Sequence, residues 1–380
     1  MLCLGWQSDD SSGNDAFLNV NEQARRCVEE LHAGGMILFA RNVQAPGNPR
    51  PPVDTVQVRD MIAELQNLAK IPLFVAVDQE GGRVARFGAP FTAFPSAKVF
   101  GEANQWELAQ KAAKCTAKEL RAVGVNFNFA PVADINSNPA NPVIGDRAFG
   151  DNVRVVTTMV ISQLPGFYTG GVLSCVKHFP GHGDTDLDSH LALPMLTHSR
   201  KKMDKRELQP FKSAIELRVP AIMTAHILFP ALDDTGVPAT LSKPILTDLL
   251  RGELGFRGLI VTDCLQMKAV ADTWGTARAA VMAAKAGADI LLVCHTWERQ
   301  KETFDALLAA VRSGELSEAQ VNDSVRRILR AKANLPTGDG PPLSVIGSPA
   351  HVSVARQVCE AAGVPFLEPV VAPTLGESAL

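Results

Sequence analysis

Eight short apolar runs, each followed by a longer segment with helical spacing, constrain the fold of this chain more than any other feature. Alternation of this kind is typical of repeated βα units and a parallel sheet. We therefore predict a (β/α)8 TIM barrel, an α/β fold, rather than an open doubly wound sheet, which usually has fewer strands. The predicted strands are Leu2–Trp6, Gly35–Phe39, Leu73–Val77, Val125–Phe129, Leu173–Lys177, Ala221–Thr224, Leu259–Thr262 and Ile290–Cys294.

The chain has 380 residues, which is enough for one barrel with additions. We predict a barrel domain over residues 1–335 and a linker with a short C-terminal tail over residues 336–380. The linker starts where LPTGDGPP breaks every regular pattern. The tail contains one predicted helix, His351–Ala362, and is too short to form a core of its own. We expect it to pack on the barrel or to trail from it, as a possible remnant of a second domain.

Composition excludes several classes of protein. Apolar residues make up 46% of the chain and the formal net charge is −3, with acidic and basic residues mixed, so we expect a sizeable core and no nucleic-acid partner. No run approaches the roughly 20 apolar residues of a membrane span, and the first residues lack the pattern of a signal peptide. Seven cysteines without a CxxC pair indicate reduced core residues. We expect a cytoplasmic monomer without a membrane partner.

Polar side chains follow five successive predicted strands. In a parallel barrel, the carboxyl ends of the strands and the loops after them form the face on which sites are built. The residues at these positions are Asp78 and Arg86 after the third strand, Asp134 and Arg147 after the fourth, Lys177 and His178 at the fifth, His226 after the sixth, and Asp263 after the seventh.

Asp263 ends the apolar strand of GLIVTD, which holds one carboxylate at the rim on a rigid support. A carboxylate in this position can act as a nucleophile, bind a metal ion or cap the next helix. Sequence alone leaves these three roles open.

The stretch KHFPGHGDTDLDSH, residues 177–190, holds three histidines, three aspartates and one lysine in fourteen residues. His178 and His182 have the spacing of neighbours on a helix face, but the proline and glycines around them exclude a helix, which weakens a metal site. Asp188 and His190 lie two residues apart, and a carboxylate beside an imidazole favours the charged ring that acid/base catalysis requires. A polar loop without catalytic function remains the alternative.

Five motifs, in order and spacing, closely resemble glycoside hydrolase family 3, and the best match is its single-barrel N-acetyl-β-glucosaminidases. Within that family, an Asp-His pair on the loop after the fifth strand distinguishes these enzymes from the two-domain β-glucosidases, which take their acid/base from a carboxylate beyond the barrel. The motifs are DQEGGRV at residues 78–84, RAFG at 147–150, KHFPGHGDTDLDSH at 177–190, MTAH at 223–226 and LLRGELGFRGLIVTD at 249–263.

The resemblance implies a role for particular residues. Asp263 would be the nucleophile, His190 the general acid/base, and Asp188 the group that orients His190. His182 and Asp184 would shape the loop. The residues implied to bind the N-acetylglucosamine unit are Asp78, Arg86, Arg147, Lys177, His178 and His226.

The function that follows is a retaining exo-β-N-acetylglucosaminidase that removes terminal N-acetylglucosamine from peptidoglycan fragments or related glycosides. Its partner would be an oligosaccharide substrate, and the double displacement requires neither a metal nor an organic cofactor. Within the family, a β-glucosidase, a broad β-glycosidase or a phosphorylase is the alternative. From other classes, the alternatives are an inactive sugar-binding barrel and a metal-dependent barrel hydrolase with the ligands His178, His190, His226 and Asp263.

Overall fold

The computed structural model describes residues 1–7, 17–47, 50–185 and 193–366, and they contain an eight-stranded parallel barrel surrounded by helices. The order β10-β1-β2-β3-β6-β7-β8-β9 runs around the sheet, and the bonds from Thr262 N to Ile290 O and from Leu265 N to Leu292 O, both 2.9 Å, join β9 to β10. The predicted barrel is confirmed. The barrel strands are β1 Leu2–Leu4, β2 Gly35–Leu38, β3 Phe74–Val77, β6 Phe127–Asn128, β7 Leu173–Phe179, β8 Ala221–Thr224, β9 Leu259–Thr262 and β10 Leu291–Val293.

A short antiparallel hairpin, β4 Gln79–Gly81 with β5 Val84–Ala85, follows β3. A π-helix spans Pro244–Glu253, and 3-10 turns lie at Gly145–Arg147, Ala239–Leu241 and Leu343–Val345. The α-helices are α1 Glu22–Glu29, α2 Ala40–Val43, α3 Thr55–Leu68, α4 Ala97–Ala103, α5 Trp106–Ala122, α6 Val153–Gly170, α7 Arg200–Lys205, α8 Gln209–Glu216, α9 Lys268–Trp274, α10 Thr276–Ala286, α11 Trp297–Arg312, α12 Glu318–Ala333 and α13 Pro349–Ala361.

Several helices begin at capping residues that the sequence supplies. The Asp54 carboxylate accepts the N–H groups of Val56 and Gln57 at the start of α3, and the hydroxyl of Ser317 accepts the N–H of Gln320 at the start of α12. Such bonds satisfy amides that have no partner within the helix. Helix starts are therefore encoded locally.

Strand residues alternate between two cores. On β3, Phe74 and Ala76 belong to the apolar cluster inside the barrel, whereas Val75 and Val77 belong to the cluster between the sheet and the helices. This alternation follows from the two-residue period of a strand. The rings of Phe74 and Phe127 lie 5.3 Å apart, centroid to centroid, and fill the barrel interior together with Phe129.

Helix α12 covers the amino-terminal end of the barrel. Ile328 is buried against the interior cluster, and Leu335 packs beside it. The ammonium of Lys332 donates to Gly34 O at 2.7 Å and lies 5.0 Å from the Phe74 ring centroid. The barrel is therefore filled from this side, and its polar cavity lies at the opposite, carboxyl end.

Helix α13, close to the predicted His351–Ala362, packs on α4 and α5. The buried Glu119 carboxylate of α5 joins two segments: it accepts bonds from Thr92 N (2.8 Å) and Thr92 Oγ1 (2.6 Å), and from Gly347 N (3.1 Å) and His351 Nδ1 (2.7 Å). Hydrogen bonds to Cys115 and Glu119 raise the pKa of His351 to about 9. The described part of the tail thus docks on the barrel, while the domain boundary at residue 335 stays a prediction.

All seven cysteines are buried and unpaired by disulfides. Within the described ranges, no helix combines the length and apolar character needed to cross a bilayer.

Candidate active site

A cavity of about 710 Å³, its open mouth included, lies at the carboxyl end of the barrel. The cavity collects the ends of β3, β7 and β9 and the long loop after β6, as the sequence predicts. Its titratable lining residues are Asp78, Glu80, Arg86, Arg147, Lys177, His178, His182, Asp263, Cys264, Cys294 and His295.

The β4–β5 hairpin brings two charged residues, Glu80 and Arg86, back to the cavity after β3 ends. Gly81 has a φ of +99°, and a Cβ at this position would lie 2.7 Å from Pro95 O, so a larger residue does not fit the turn. Gln79 Oε1 accepts the N–H of Arg86 at 2.8 Å. This bond fixes the returning chain.

Two cations and two carboxylates form a buried network in the cavity wall. Lys177 Nζ lies 2.6 Å from both Asp78 Oδ1 and Glu80 Oε1. The Arg147 guanidinium donates to both oxygens of Glu80, with Nε at 2.9 Å and Nη2 at 2.8 Å. Burial alone raises the pKa of a carboxyl, but Arg147 and Lys177 outweigh it and hold the pKa of Glu80 below its usual range. Glu80 is therefore ionised at neutral pH.

Asp78 differs from Glu80 in its access to the cavity. Its Oδ1 is bound to Lys177, while its Oδ2 lies 3.7 Å from the nearest Arg86 nitrogen, Nη2, beyond normal hydrogen-bond length. The Asp78 side chain is 16% exposed, compared with 5% for Glu80. Asp78 thus presents a carboxylate oxygen that can accept a bond from a ligand hydroxyl.

Asp134 fixes the start of the loop that follows β7. Its Oδ2 lies 2.7 Å from His178 Nδ1, and its Oδ1 accepts the N–H of His182 at 2.7 Å. Burial opposes ionisation, but His178 and these bonds keep the pKa of Asp134 below its usual range. An ionised carboxylate only accepts, so His178 donates from Nδ1, which orients its ring at the cavity. Burial lowers the pKa of His182 to about 4, so this ring is neutral at pH 7.

Asp263 lies at the rim immediately after β9 and lines the cavity. Its Oδ1 accepts the N–H of Cys264 at 2.7 Å. The next helix, α9, begins at Lys268, with Met267 in the N-cap position. The helix-cap alternative for Asp263 is therefore wrong.

His226 lies behind the wall. It is 1% exposed and is not among the described residues that line the cavity. Its Nδ1 lies 2.8 Å from Thr240 Oγ1, and its Nε2 lies 3.0 Å from the carbonyl oxygen of Cys264. This position corrects the prediction that His226 contacts the sugar, because its ring supports the segment after Asp263 instead.

The described members of the predicted metal set, His178, His226 and Asp263, do not converge as ligands. Of the described residues, three that bring ligand atoms within 4.8 Å of one another are Asp184, His198 and Glu207, a different group. One carboxylate of that group is already paired with a cationic side chain, since Arg206 Nη2 lies 3.2 Å from Asp184 Oδ2. The geometry gives the metal-hydrolase alternative no support.

The predicted acid/base pair, Asp188 and His190, lies outside the described residues. The last described residue before this pair is Thr185, whose hydroxyl donates to the His182 carbonyl at 3.1 Å. The acid/base assignment therefore stays a prediction from the sequence.

The carboxylate at the end of β9 and the charged wall from β3 and β7 come from motifs that resemble glycoside hydrolase family 3 in the sequence. The model of the glycosyl hydrolase family 3 N-terminal domain matches residues 8–331. The chain belongs to glycoside hydrolase family 3.

Several relatives of this family 3 chain have names or solved structures. It is 39% identical over 376 residues to beta-hexosaminidase A of Pseudoalteromonas piscicida, covering 91% of this chain and 61% of that protein. A family 3 beta-N-acetylglucosaminidase from Paenibacillus sp. FPU-7 superposes with a TM-score of 0.86 at 41% identity, over 95% of this chain and 67% of that one. A beta-glucoside phosphorylase bound to 2FGlc superposes with a TM-score of 0.82 at 26% identity, over 94% and 63%. The chain thus spans about two thirds or less of the length of each of these relatives.

Two residues that hold the cavity wall were given no role by the sequence, although Asp134 was among the polar residues expected at the strand ends. Glu80 pairs with both Arg147 and Lys177, and Asp134 holds His178 and His182. Glu80 lies in the DQEGG motif, two residues after Asp78, so its position at a strand end was a usable signal. The contacts of Asp134 depend on the path of the loop after β7, which the sequence does not show.

Proposed function

We propose that this chain is a retaining β-N-acetylglucosaminidase that removes terminal N-acetylglucosamine units. The observation that carries the proposal is the position of Asp263, a carboxylate at the end of β9 that faces the same cavity as Asp78 and Lys177. The names of the hexosaminidase and the beta-N-acetylglucosaminidase among the relatives support the choice of sugar.

The charged wall suits the binding of one sugar ring. Asp78 offers an acceptor to hydroxyl groups, while Arg86 and His178 offer donors around it. Lys177 and Arg147 hold Asp78 and Glu80 in place through the buried network. Binding groups supported in this way lose little conformational freedom when the ligand arrives.

In the proposed reaction, Asp263 attacks the anomeric carbon and forms a glycosyl ester. His190, oriented by Asp188, donates a proton to the leaving oxygen and later removes a proton from the attacking water. Asp263 suits the first role because its strand is rigid and its Oδ1 is fixed by the Cys264 N–H. The second role rests on the Asp-Ser-His motif of residues 188–190.

Peptidoglycan fragments are the proposed natural substrate, and the cytoplasm the proposed compartment, with the chain acting as a monomer. These assignments rest on the resemblance to single-barrel N-acetylglucosaminidases. A panel of muropeptide and chitin fragments tests the substrate. Faster release of N-acetylglucosamine from chitin fragments would redirect the proposal toward chitin.

The central experiment measures hydrolysis of an aryl N-acetyl-β-glucosaminide by Asp263→Ala, with Asp60→Asn on exposed α3 as the control. We expect activity to fall by several orders of magnitude in Asp263→Ala and to stay unchanged in the control. Azide should restore turnover of Asp263→Ala and give the α-glycosyl azide, because azide replaces the missing nucleophile on its own face. Unimpaired activity in Asp263→Ala would refute the nucleophile assignment.

A second arm tests His190. Its replacement by alanine should slow substrates with poor leaving groups much more than activated aryl glycosides, because only the former need protonation. Equal losses on both substrates would contradict the acid/base role.

Phosphorolysis is a second candidate, favoured by the likeness to the beta-glucoside phosphorylase. A neutral imidazole repels an anionic acceptor less than a carboxylate does, so a histidine acid/base suits phosphate. Formation of N-acetylglucosamine 1-phosphate in phosphate buffer, measured against a phosphate-free buffer, decides between water and phosphate as the acceptor.

A further inference from the structure

Two cysteines lie in the wall of the cavity. Cys264 follows Asp263 at the end of β9, and Cys294 follows Val293, the last residue of β10. Both line the cavity, whereas the other five cysteines, all within the described residues, are not among its lining. Neither thiol has a role in the proposed hydrolysis.

The two strand ends that carry these cysteines are neighbours. The bond from Leu265 N to Leu292 O, 2.9 Å long, joins them one residue beyond Cys264. In a parallel pair this bond sets Cys264 opposite Leu292, two residues before Cys294, so the contact between the cysteines is made by their side chains. The two thiols are hydrogen-bonded to each other. A disulfide needs Cα atoms about 4.4–6.8 Å apart, so its formation draws Cys264 toward Cys294.

The surroundings of the two thiols differ in a way that suits stepwise oxidation. The thiol of Cys294 and the imidazole of His295 hold the pKa of Cys264 well below its usual value, although burial opposes this. Burial raises the pKa of Cys294 well above its usual value. These shifts favour the thiolate, the reactive form, at Cys264 over Cys294, and Cys294 is then the thiol that reacts in the second step. Cys264 is 9% exposed and Cys294 1%, so a reagent entering the cavity meets Cys264 first.

We propose that Cys264 is an oxidation site for small hydroperoxides that enter the sugar cavity, and that Cys294 converts the product to a disulfide. In the first step, the Cys264 thiolate attacks hydrogen peroxide: an S–O bond forms, the O–O bond breaks, and hydroxide leaves and takes up a proton. The sulfur loses two electrons and the peroxide gains them. In the second step, the Cys294 sulfur attacks the sulfenic acid, an S–S bond forms, and the Cys294 proton leaves with the hydroxyl group as water.

This bond would inactivate the site reversibly. The N–H of Cys264 donates to Asp263 Oδ1, and its carbonyl oxygen contacts His226 Nε2, so a shift of Cys264 toward β10 changes the position of the proposed nucleophile. Reduction of the disulfide by a thiol returns both groups. A cavity already occupied by sugar should exclude peroxide.

The experiment treats the full chain with hydrogen peroxide and follows both peptide mass and hydrolase activity. In the wild type we expect a peptide pair joined through Cys264 and Cys294, lighter by two hydrogen atoms, and activity that dithiothreitol restores. Cys264→Ser, measured against its own untreated activity, should lose activity about tenfold more slowly, since the reactive thiolate is gone. Cys294→Ser should progress to the sulfinic acid, which dithiothreitol does not reduce.

Cys359→Ser, on the distant helix α13, is the matched control and should behave as the wild type. Equal inactivation rates in the wild type and Cys264→Ser would overturn the proposal, as would a map in which Cys264 stays reduced while activity is lost. Peptide mapping reports the bond whether or not the proposed hydrolase activity is correct, so failure of one assignment is distinguishable from failure of the other.

Discussion

The buried charge network of the cavity wall makes Glu80→Gln a sharp test of how the site is held. Glu80 is 5% exposed and its partners Arg147 and Lys177 are 8% and 3% exposed. The amide keeps the shape of the carboxylate but removes its charge, and its NH2 group faces a donor. Arg147 then loses half of its bidentate pairing while both cations remain buried.

We expect Glu80→Gln to cost a large part of the stability of the folded chain. Two charge-assisted hydrogen bonds, each worth about 1.5–3 kcal/mol, are weakened, and removal of one partner from a buried pair costs about 3–5 kcal/mol. We therefore expect Glu80→Gln to lower the free energy of unfolding by about 3–5 kcal/mol at pH 7. Urea unfolding followed by tryptophan fluorescence measures this change, provided that the slope against urea stays constant.

The pH dependence of the difference in free energy of unfolding between the wild type and Glu80→Gln shows whether the ionised Glu80 carboxylate causes it. The folded-state pKa of Glu80 is depressed, so its contribution is fully present above the unfolded-state pKa, about 4.3, and is lost as the pH falls toward the folded-state value. The difference between the wild type and Glu80→Gln should be constant from pH 7 to about pH 5 and shrink below that.

Glu315→Gln is the matched control, because this surface glutamate also accepts from one arginine, Arg278 (2.6 Å), and one lysine, Lys285 (3.1 Å). Water solvates all three groups, so we expect little change in stability. If Glu80→Gln were as mild as Glu315→Gln, or if its cost did not fall in acid, the buried network would not be what stabilises this wall.

Three further predictions concern packing, docking and capping. Phe127→Ala, which removes the central ring of the barrel interior, should cost about 3–5 kcal/mol in urea unfolding; a cost under about 1 kcal/mol would contradict a filled barrel. The folded-state pKa of His351 is raised to about 9, so its contribution is present below about pH 6.5 and lost as the pH rises through 9. Hydrogen exchange in Pro349–Ala361 should accelerate over that range, apart from the intrinsic base-catalysed increase, and His351→Gln should abolish this excess. Ser317→Ala should destabilise the start of α12 by about 1 kcal/mol, measured by thermal unfolding against Ser353→Ala within α13.

The barrel could be predicted from the sequence because each strand is a local apolar run of nearly the right length. The fourth predicted strand, Val125–Phe129, is shorter in the structure, at Phe127–Asn128, because Asn126 and Asn128 use side-chain amides to bond β3 and its extension. The strand β7 is longer than predicted and reaches Phe179. Side-chain bonds between strands decide such ends, and they are not visible in a local pattern.

The site was partly predictable for a related reason. Asp78, Lys177 and Asp263 were found because a strand end points to the cavity whatever the loops do. His226 also follows a strand, but Thr240, fourteen residues later, returns to bond its ring and draws it into the wall. Contacts of this kind, between residues distant in sequence, decide whether a residue at a strand end lines the cavity or is buried behind its wall.

The hydrogen bonds from two segments to Glu119 bear on how this chain can be shortened or extended. Its carboxylate hydrogen-bonds both to Thr92, in the segment that continues from Arg86, and to Gly347, in the segment that leads into α13. Gly347 has a φ of +62°, and a side chain at this position would not fit beside Pro90 O. A truncation before Gly347 removes two of the four described donors of a buried charge. A force applied to the described tail would act through Glu119 on Thr92, and from there on the segment that leads back to Arg86 in the cavity lining.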